Sequence, residues 1–280
     1  MERARNLFST SRKTGDSAAL FFSQIPGAMA ARKNAPLAVL TFLIVASGAS
    51  AQTETILYNF AGGTDGGSPG GLVIGSAPDG RPVFYGTTFY GGGAGSCSSG
   101  CGTVFSLTPP ASPGGSWTKA VLYSFAGNDD GASNDGANPL GVVVDGSSGH
   151  PVLYGTTQSG GTGASGTVFS LTPPGSPGAA WTETVSYSFT GGSDGRAPNG
   201  VVVGSGANGV QVLYGTTVLG GTSDSLGVVF SLTPSGLGAT WTEEVLHAFT
   251  GKQDGEYPVG NIAAGPDGAL YVATSGIYGE

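Results

Sequence analysis

A six-residue word that keeps returning restricts this chain more than any other feature. Val83-Phe84-Tyr85-Gly86-Thr87-Thr88 recurs as Val152-Leu153-Tyr154-Gly155-Thr156-Thr157 and as Val212-Leu213-Tyr214-Gly215-Thr216-Thr217, then degenerates to Ala269-Leu270-Tyr271-Val272-Ala273-Thr274. Other words keep step with it. Gly102-Thr103-Val104-Phe105-Ser106-Leu107-Thr108-Pro109 returns at 166–173 and, slightly altered, at 227–234. Trp117-Thr118, Trp181-Thr182 and Trp241-Thr242 each open a stretch that closes on Phe125, Phe189 or Phe249. A fixed period of about sixty residues is the mark of stacked units, none of which buries its own apolar faces alone.

Each word is four to eight residues long, rich in Val, Tyr, Phe and Thr, and bounded by Gly, Pro, Asn or Asp, which is how strands joined by turns read. No window beyond residue 51 carries an apolar stripe at helical spacing free of Gly and Pro. The pattern predicts strand A at 71–75, 140–145, 200–204 and 260–264, and strand B at 83–88, 152–157, 210–217 and 269–274. Strand C is predicted at 102–108, 166–172 and 227–233, and strand D at 54–60, 117–125, 181–189 and 241–249. The expected fold is all-β: a β-propeller-like array of four-stranded antiparallel blades. Blades fall at about 71–125, 140–189 and 200–249, with a partial one at 260–280 and the strand 54–60, about three and a half repeats in all. The array reads as incomplete, the alternative being a four-bladed ring with a defective seam, and an unpaired strand B edge would invite edge-strand self-association.

Ahead of the repeats, Arg32 and Lys33 precede the apolar run Leu37 to Ala46, and Ala49-Ser50-Ala51 offers small residues for cleavage. Residues 1–51 therefore read as a secretory signal peptide with an upstream extension, Met29 being the expected start. A run of about ten residues is too short to span the ~30 Å hydrocarbon layer, so residues 52–280 form the repeat domain with no membrane insertion of the mature chain. That domain holds four basic residues (Arg81, Lys119, Arg196 and Lys252) against sixteen acidic ones, a net charge of −12. Four scattered cations make no phosphate-binding patch, which argues against nucleic acid as a partner.

Few residues invite chemistry. His247 stands where other repeats have Tyr58, Tyr123 and Tyr187, so it reads as a strand residue; His150 precedes Pro151 in a turn. Gly66 to Gly70 and Gly191 to Gly195 match Gly-x-Ser-x-Gly, and Gly204 to Gly209 matches a dinucleotide fingerprint, but none stands before a helix as that chemistry requires, so all three read as turns. Asp65, Asp130, Asp194 and Asp254 each follow a closing Phe by five residues and precede Gly. Asp-Gly is a favoured turn pair; the other reading is a Ca²⁺ site at one rim. In the second repeat Asp135 is a rival for the same register. The three Trp residues serve either blade packing or sugar stacking. Cys97 and Cys101, inside a Gly/Ser loop, form a disulfide, remain free thiols or, least of all, hold a metal. No catalytic, cofactor-binding or metal-ligating residue is assigned, and no cofactor is expected.

Tyr-Gly-Thr-Thr, Gly-Gly, Gly-Thr-Val-Phe-Ser-Leu-Thr-Pro, Leu-Tyr-Ser-Phe and a Gly-Asp-Gly turn, in that order, resemble the GloVer tandem repeat of bacterial surface and exported proteins, over about residues 54–280. The resemblance implies an exported propeller-type array and no particular catalytic residue or ligand. Members end in one of several sorting anchors. None is seen here, which fits a truncated chain. The expected function is a non-enzymatic binding or structural module at the cell surface or outside the cell, with a glycan or protein partner. The alternative is an extracellular glycan lyase or hydrolase using paired carboxylates.

Overall fold

The computed structural model describes residues 55–76, 81–112, 114–127, 135–146, 151–176, 178–206, 209–235, 241–251, 253–265 and 267–276. The signal-like segment 1–51 lies outside them. Among the described residues, no helix is long and apolar enough to cross a membrane.

Fifteen strands and one short 3₁₀ turn, Gly63–Asp65, make up the described fold. The first sheet holds β1 (Gly67–Pro69), β2 (Val73–Ser76), β3 (Pro82–Tyr90), β4 (Thr103–Thr108) and β5 (Thr118–Ser124). The second holds β6 (Ala137–Asp145), β7 (Val152–Ser159), β8 (Thr167–Thr172) and β9 (Thr182–Ser188). In the third are β10 (Arg196–Ser205), β11 (Gln211–Leu219), β12 (Val228–Pro234) and β13 (Trp241–Ala248), and in the fourth β14 (Glu256–Ala264) and β15 (Leu270–Gly276). Every pairing is antiparallel and, apart from β1 on β3, joins strands adjacent in sequence. The result is the expected propeller-like series of four-stranded meanders.

Strand A begins earlier than the sequence suggests, because the Gly-x-x-Pro lead-in belongs to the ladder. Pro139 pairs with Thr157 and Pro198 with Thr217 before a bulge lets the Val run continue. In the first sheet the same interruption splits strand A into β1 and β2, both on β3. The residue before each of these prolines is left-handed: Ser68, Asn138, Ala197 and Tyr257 have φ of 51°, 60°, 54° and 48°. The expected strand at 54–60 is corrected. Residues 55–60 form no strand, since no strand C lies beside them among the described residues to take their hydrogen bonds.

The core lies between successive sheets, which pack through β3 on β6, β7 on β10 and β10 on β14. Each sheet thus has a front face, turned to the sheet before it, and a back face, turned to the sheet after it. Val83, Tyr85 and Val104 at the back of the first sheet meet Val142, Leu153, Phe169 and Leu171 at the front of the second. Tyr154 and Val168 likewise meet Val201, Leu213, Phe230 and Leu232. Rings join the same layers edge to face: Phe125 on Phe169 and Phe189 on Phe230, each pair with centroids 5.1 Å apart. This also explains the glycine in Tyr-Gly-Thr-Thr: a Cβ on Gly86 or Gly155 would run into the ring of Phe105 or Phe169.

Candidate functional site

Polar side chains gather where strand D turns into the next unit. At each such corner a ring from strand D, or its equivalent, reaches an aspartate further along the chain, seven residues on at three corners and twelve at the second. Tyr58 donates to Asp65 at 2.8 Å, Tyr123 to Asp135 at 2.9 Å and Tyr187 to Asp194 at 3.2 Å. His247 Nε2 lies 3.0 Å from Asp254. The backbone amide of Ala61, Ala126, Thr190 or Thr250 donates to the same carboxylate. Each aspartate therefore closes its own turn, which is the turn reading of the series. Asp135 fills the second corner; Asp130, its rival, lies outside the described residues. The glycine that follows has φ of 92°, 93°, 97° or 81° at Gly66, Gly136, Gly195 and Gly255, and a Cβ there would strike Thr88, Thr157, Thr217 or Thr274. The dipeptide is fixed twice, by the carboxylate and by the absent side chain.

One position beside these corners breaks the repeat. Lys119, on β5, reaches back to Asp65 of the first corner, with Nζ 2.9 Å from Oδ1 and a second bond to the Asp65 carbonyl oxygen. Its ammonium also stands over the rings of Tyr58, Phe60 and Phe105 at 5.2–5.8 Å. In register, β9 and β13 carry Glu183 and Glu243 at that position. Each has its Oε1 buried without a hydrogen-bond partner. Burial, and then the charge of Asp135, pushes Glu183 up to about 7; burial, then Asp194 and Glu244, does the same for Glu243. At the first corner burial raises Asp65, but the Ala61 amide, Lys119 and Tyr58 outweigh it and hold that carboxyl below its ordinary value. The Thr250 hydroxyl holds Asp254 down to about 2, against a burial effect of opposite sign. One corner is an ion pair; at two, a buried glutamate feels the charge of the corner's aspartate. The two residues lie about fifty positions apart in sequence, so no local motif announces them.

The other candidates are structural in placement. His247 pairs with Val229 in the sheet and stands edge-on to Phe249 at 4.9 Å, as Tyr123 does to Phe125. His150 lies outside the described residues. Gly191 to Gly195 is a turn, closed by the Gly191 amide on the Gly195 carbonyl. The middle of Gly66 to Gly70 is strand β1, not the turn its sequence suggests, and Gly204 to Gly209 leads into β11 rather than a helix. Trp181 packs against Tyr85 of the preceding sheet and Trp241 against Tyr154, whereas Trp117 leans on Phe84 of its own sheet. Cys97 and Cys101 are joined as a disulfide in the loop between β3 and β4. Among the described residues, no three His, Cys, Asp or Glu side chains converge as metal ligands.

No curated protein and no solved structure matches the chain. A family model does, over residues 96–279, a narrower span than the repeated words suggest but well over half of the chain. On that match, and on sheets that recur with the same corners and the same inter-sheet joints, the chain belongs to the Gloeobacter/Verrucomicrobia repeat family.

Proposed function

We propose that the protein is an exported, non-enzymatic module that binds or builds at the cell surface or outside the cell, its partner being a glycan or a protein. The observation that carries this reading is where the titratable side chains go. The Tyr, His and Asp of the corners are spent on closing turns in positions that recur from sheet to sheet, and Lys119 is spent on Asp65 of the first corner. The connecting loops offer Gly, Ser and Thr, groups suited to polar contacts. Strand β15 has no further strand beside it among the described residues, and an open edge of that kind is a place for strand addition.

A second reading has one observation in its favour. Glu183 near Asp135 and Glu243 near Asp194 are carboxylate pairs in which one member is raised towards neutrality, as general acids are. Their recurrence at two successive joints speaks for a scaffold role. A panel of soluble polysaccharides separates the readings: binding by surface plasmon resonance with no new reducing ends or unsaturated products is expected. Product formation that disappears in Glu183→Gln or Glu243→Gln would sink the non-enzymatic reading. Export is tested separately by sequencing the N-terminus of surface or culture-medium protein, expected to begin at Gln52.

A further inference from the structure

The series of sheets shows repeatedly what covers a front face, and among the described residues it leaves the front face of the first sheet uncovered. Leu72, Val142, Val201 and Ile262 occupy one repeat position, as the pairing of each strand with its Tyr-bearing neighbour establishes. Val142, Val201 and Ile262, each under a preceding sheet, are 6%, 3% and 2% exposed; Leu72 is 45% exposed. Ile74 beside it is exposed as well. Over this face lies an open cleft of about 310 Å³, lined by Leu57, Phe60, Leu72, Phe105 and Leu107. At the other end the asymmetry is mirrored. Tyr85 and Tyr154, on back faces, are 3% and 8% exposed beneath the next sheet, while Tyr271 of β15 is 58% exposed.

These two faces are complementary because of the repeat itself. Inside the molecule, two back-face Tyr lie against the Trp that opens strand D of the following sheet, at 6.1 Å for Tyr85 and Trp181 and 5.8 Å for Tyr154 and Trp241; Tyr214 packs instead with Tyr257, Leu270 and Val272 of a sheet that has no strand D among the described residues. Trp117 is the one opening Trp with no such Tyr, and Tyr271 is the back-face Tyr left exposed. The segment Thr55–Phe60 already takes the part of a preceding strand D: Phe60 stands edge-on to Phe105 at 5.1 Å, as Phe125 does to Phe169. It supplies the end of a preceding sheet, with no strands A and B beside it among the described residues, and β14–β15 is a sheet made of strands A and B.

We propose that the front face of the first sheet docks the back face of the β14–β15 sheet of a second copy of this chain, head to tail, with Tyr271 of one copy against Trp117 of the other. The inference does not depend on the proposed function. A joint of this kind uses two different surfaces, so it is heterologous and can propagate. Leu72→Asp with Ile74→Asp blocks the front; Tyr271→Asp blocks the back. All three positions are exposed, so the variants keep the wild-type circular dichroism spectrum. By sedimentation velocity of the purified protein, mass is expected to grow with concentration for the wild type, and each variant alone stays monomeric. An equal mixture of the two variants forms dimers and nothing larger, since each brings one intact face. The proposal is overturned if the wild type is monomeric at every concentration, as it would be were its own ends to meet. A variant that still self-associates, through the β15 edge or like faces, overturns it too, as does a mixture that stays monomeric.

Discussion

At the scale of single residues, the corners show how one substitution reverses the pH response of an otherwise repeated structure. Glu183 and Glu243 stand where Lys119 holds Asp65, and burial with a neighbouring aspartate raises both to about 7. A carboxyl whose folded value lies above its unfolded value binds its proton more tightly when folded. Its contribution to stability is therefore complete below about pH 4.5 and is lost as pH rises through 7. Asp65 is held low, so its contribution has the opposite sense and is lost in acid. Replacing both glutamates, Glu183→Gln with Glu243→Gln, is expected to leave stability at pH 5 nearly unchanged and to raise it at pH 8. The gain should be about 1 kcal/mol per site once partial solvent access is allowed for. Urea denaturation at the two pH values measures this, and equal stability of wild type and variant at pH 8 would refute it. The aspartates of these corners were legible from their spacing after Phe, except in the second repeat. There the near-duplicate turn spanning Asp130 and Asp135 offers two carboxylates for one place, and only the Tyr123 and Ala126 donors decide between them. The Lys-to-Glu exchange was not legible at all, because its meaning depends on an aspartate 54 residues away in the case of Lys119.

At the scale of strands and turns, the centres of the elements follow from period-two patterning and the repeated words, whereas the joints between sheets do not. Each joint sets a left-handed residue and a proline of one sheet against a glycine of the sheet before. Asn138, Ala197 and Tyr257 donate their amides to the carbonyls of Cys101, Ser165 and Leu226. The prolines that follow leave no room for a Cβ on Gly102, Gly166 or Gly227. Four unlike residues, Ser, Asn, Ala and Tyr, hold the left-handed position. Only Asn138 is of a type that favours this conformation, and the proline after each reads as a turn, so each strand A appears shorter in sequence than it is. The left-handed glycines accordingly differ in what surrounds them. Gly166 has φ 99° and its missing Cβ would meet Pro198 and the Thr157 carbonyl; Gly178 has φ 84° and open space. Gly178→Ala is expected to cost about 1 kcal/mol, the left-handed penalty alone. Gly166→Ala adds overpacking of about 1–3 kcal/mol and pushes two sheets apart. Comparable melting temperatures for the two variants would contradict this account of the joint.

At the scale of the molecule, contact between sheets runs only from each to the next in the pairs that pack closely, so stability should resemble a chain of unit terms and nearest-neighbour terms. At the link between the second and third sheets Phe189, fully buried, stands against Phe230. Phe189→Ala removes that ring and should cost about 3–5 kcal/mol. In native-state hydrogen exchange the wild type is expected to protect β7, β8, β11 and β12 most, since each has paired strands on both edges and a sheet on either side. Thr55–Phe60 and β15, at the outer faces, should exchange first. With Phe189→Ala the array should separate into two cooperative units, β1 to β9 and β10 to β15, each with its own opening free energy. The C-terminal unit, which has one complete sheet rather than two, should open more readily. Were the substitution to lower protection equally from β3 to β15, the sheets would form a single cooperative body. The packing of each face on its neighbour would then be too strongly coupled for the repeat to act as the unit of stability.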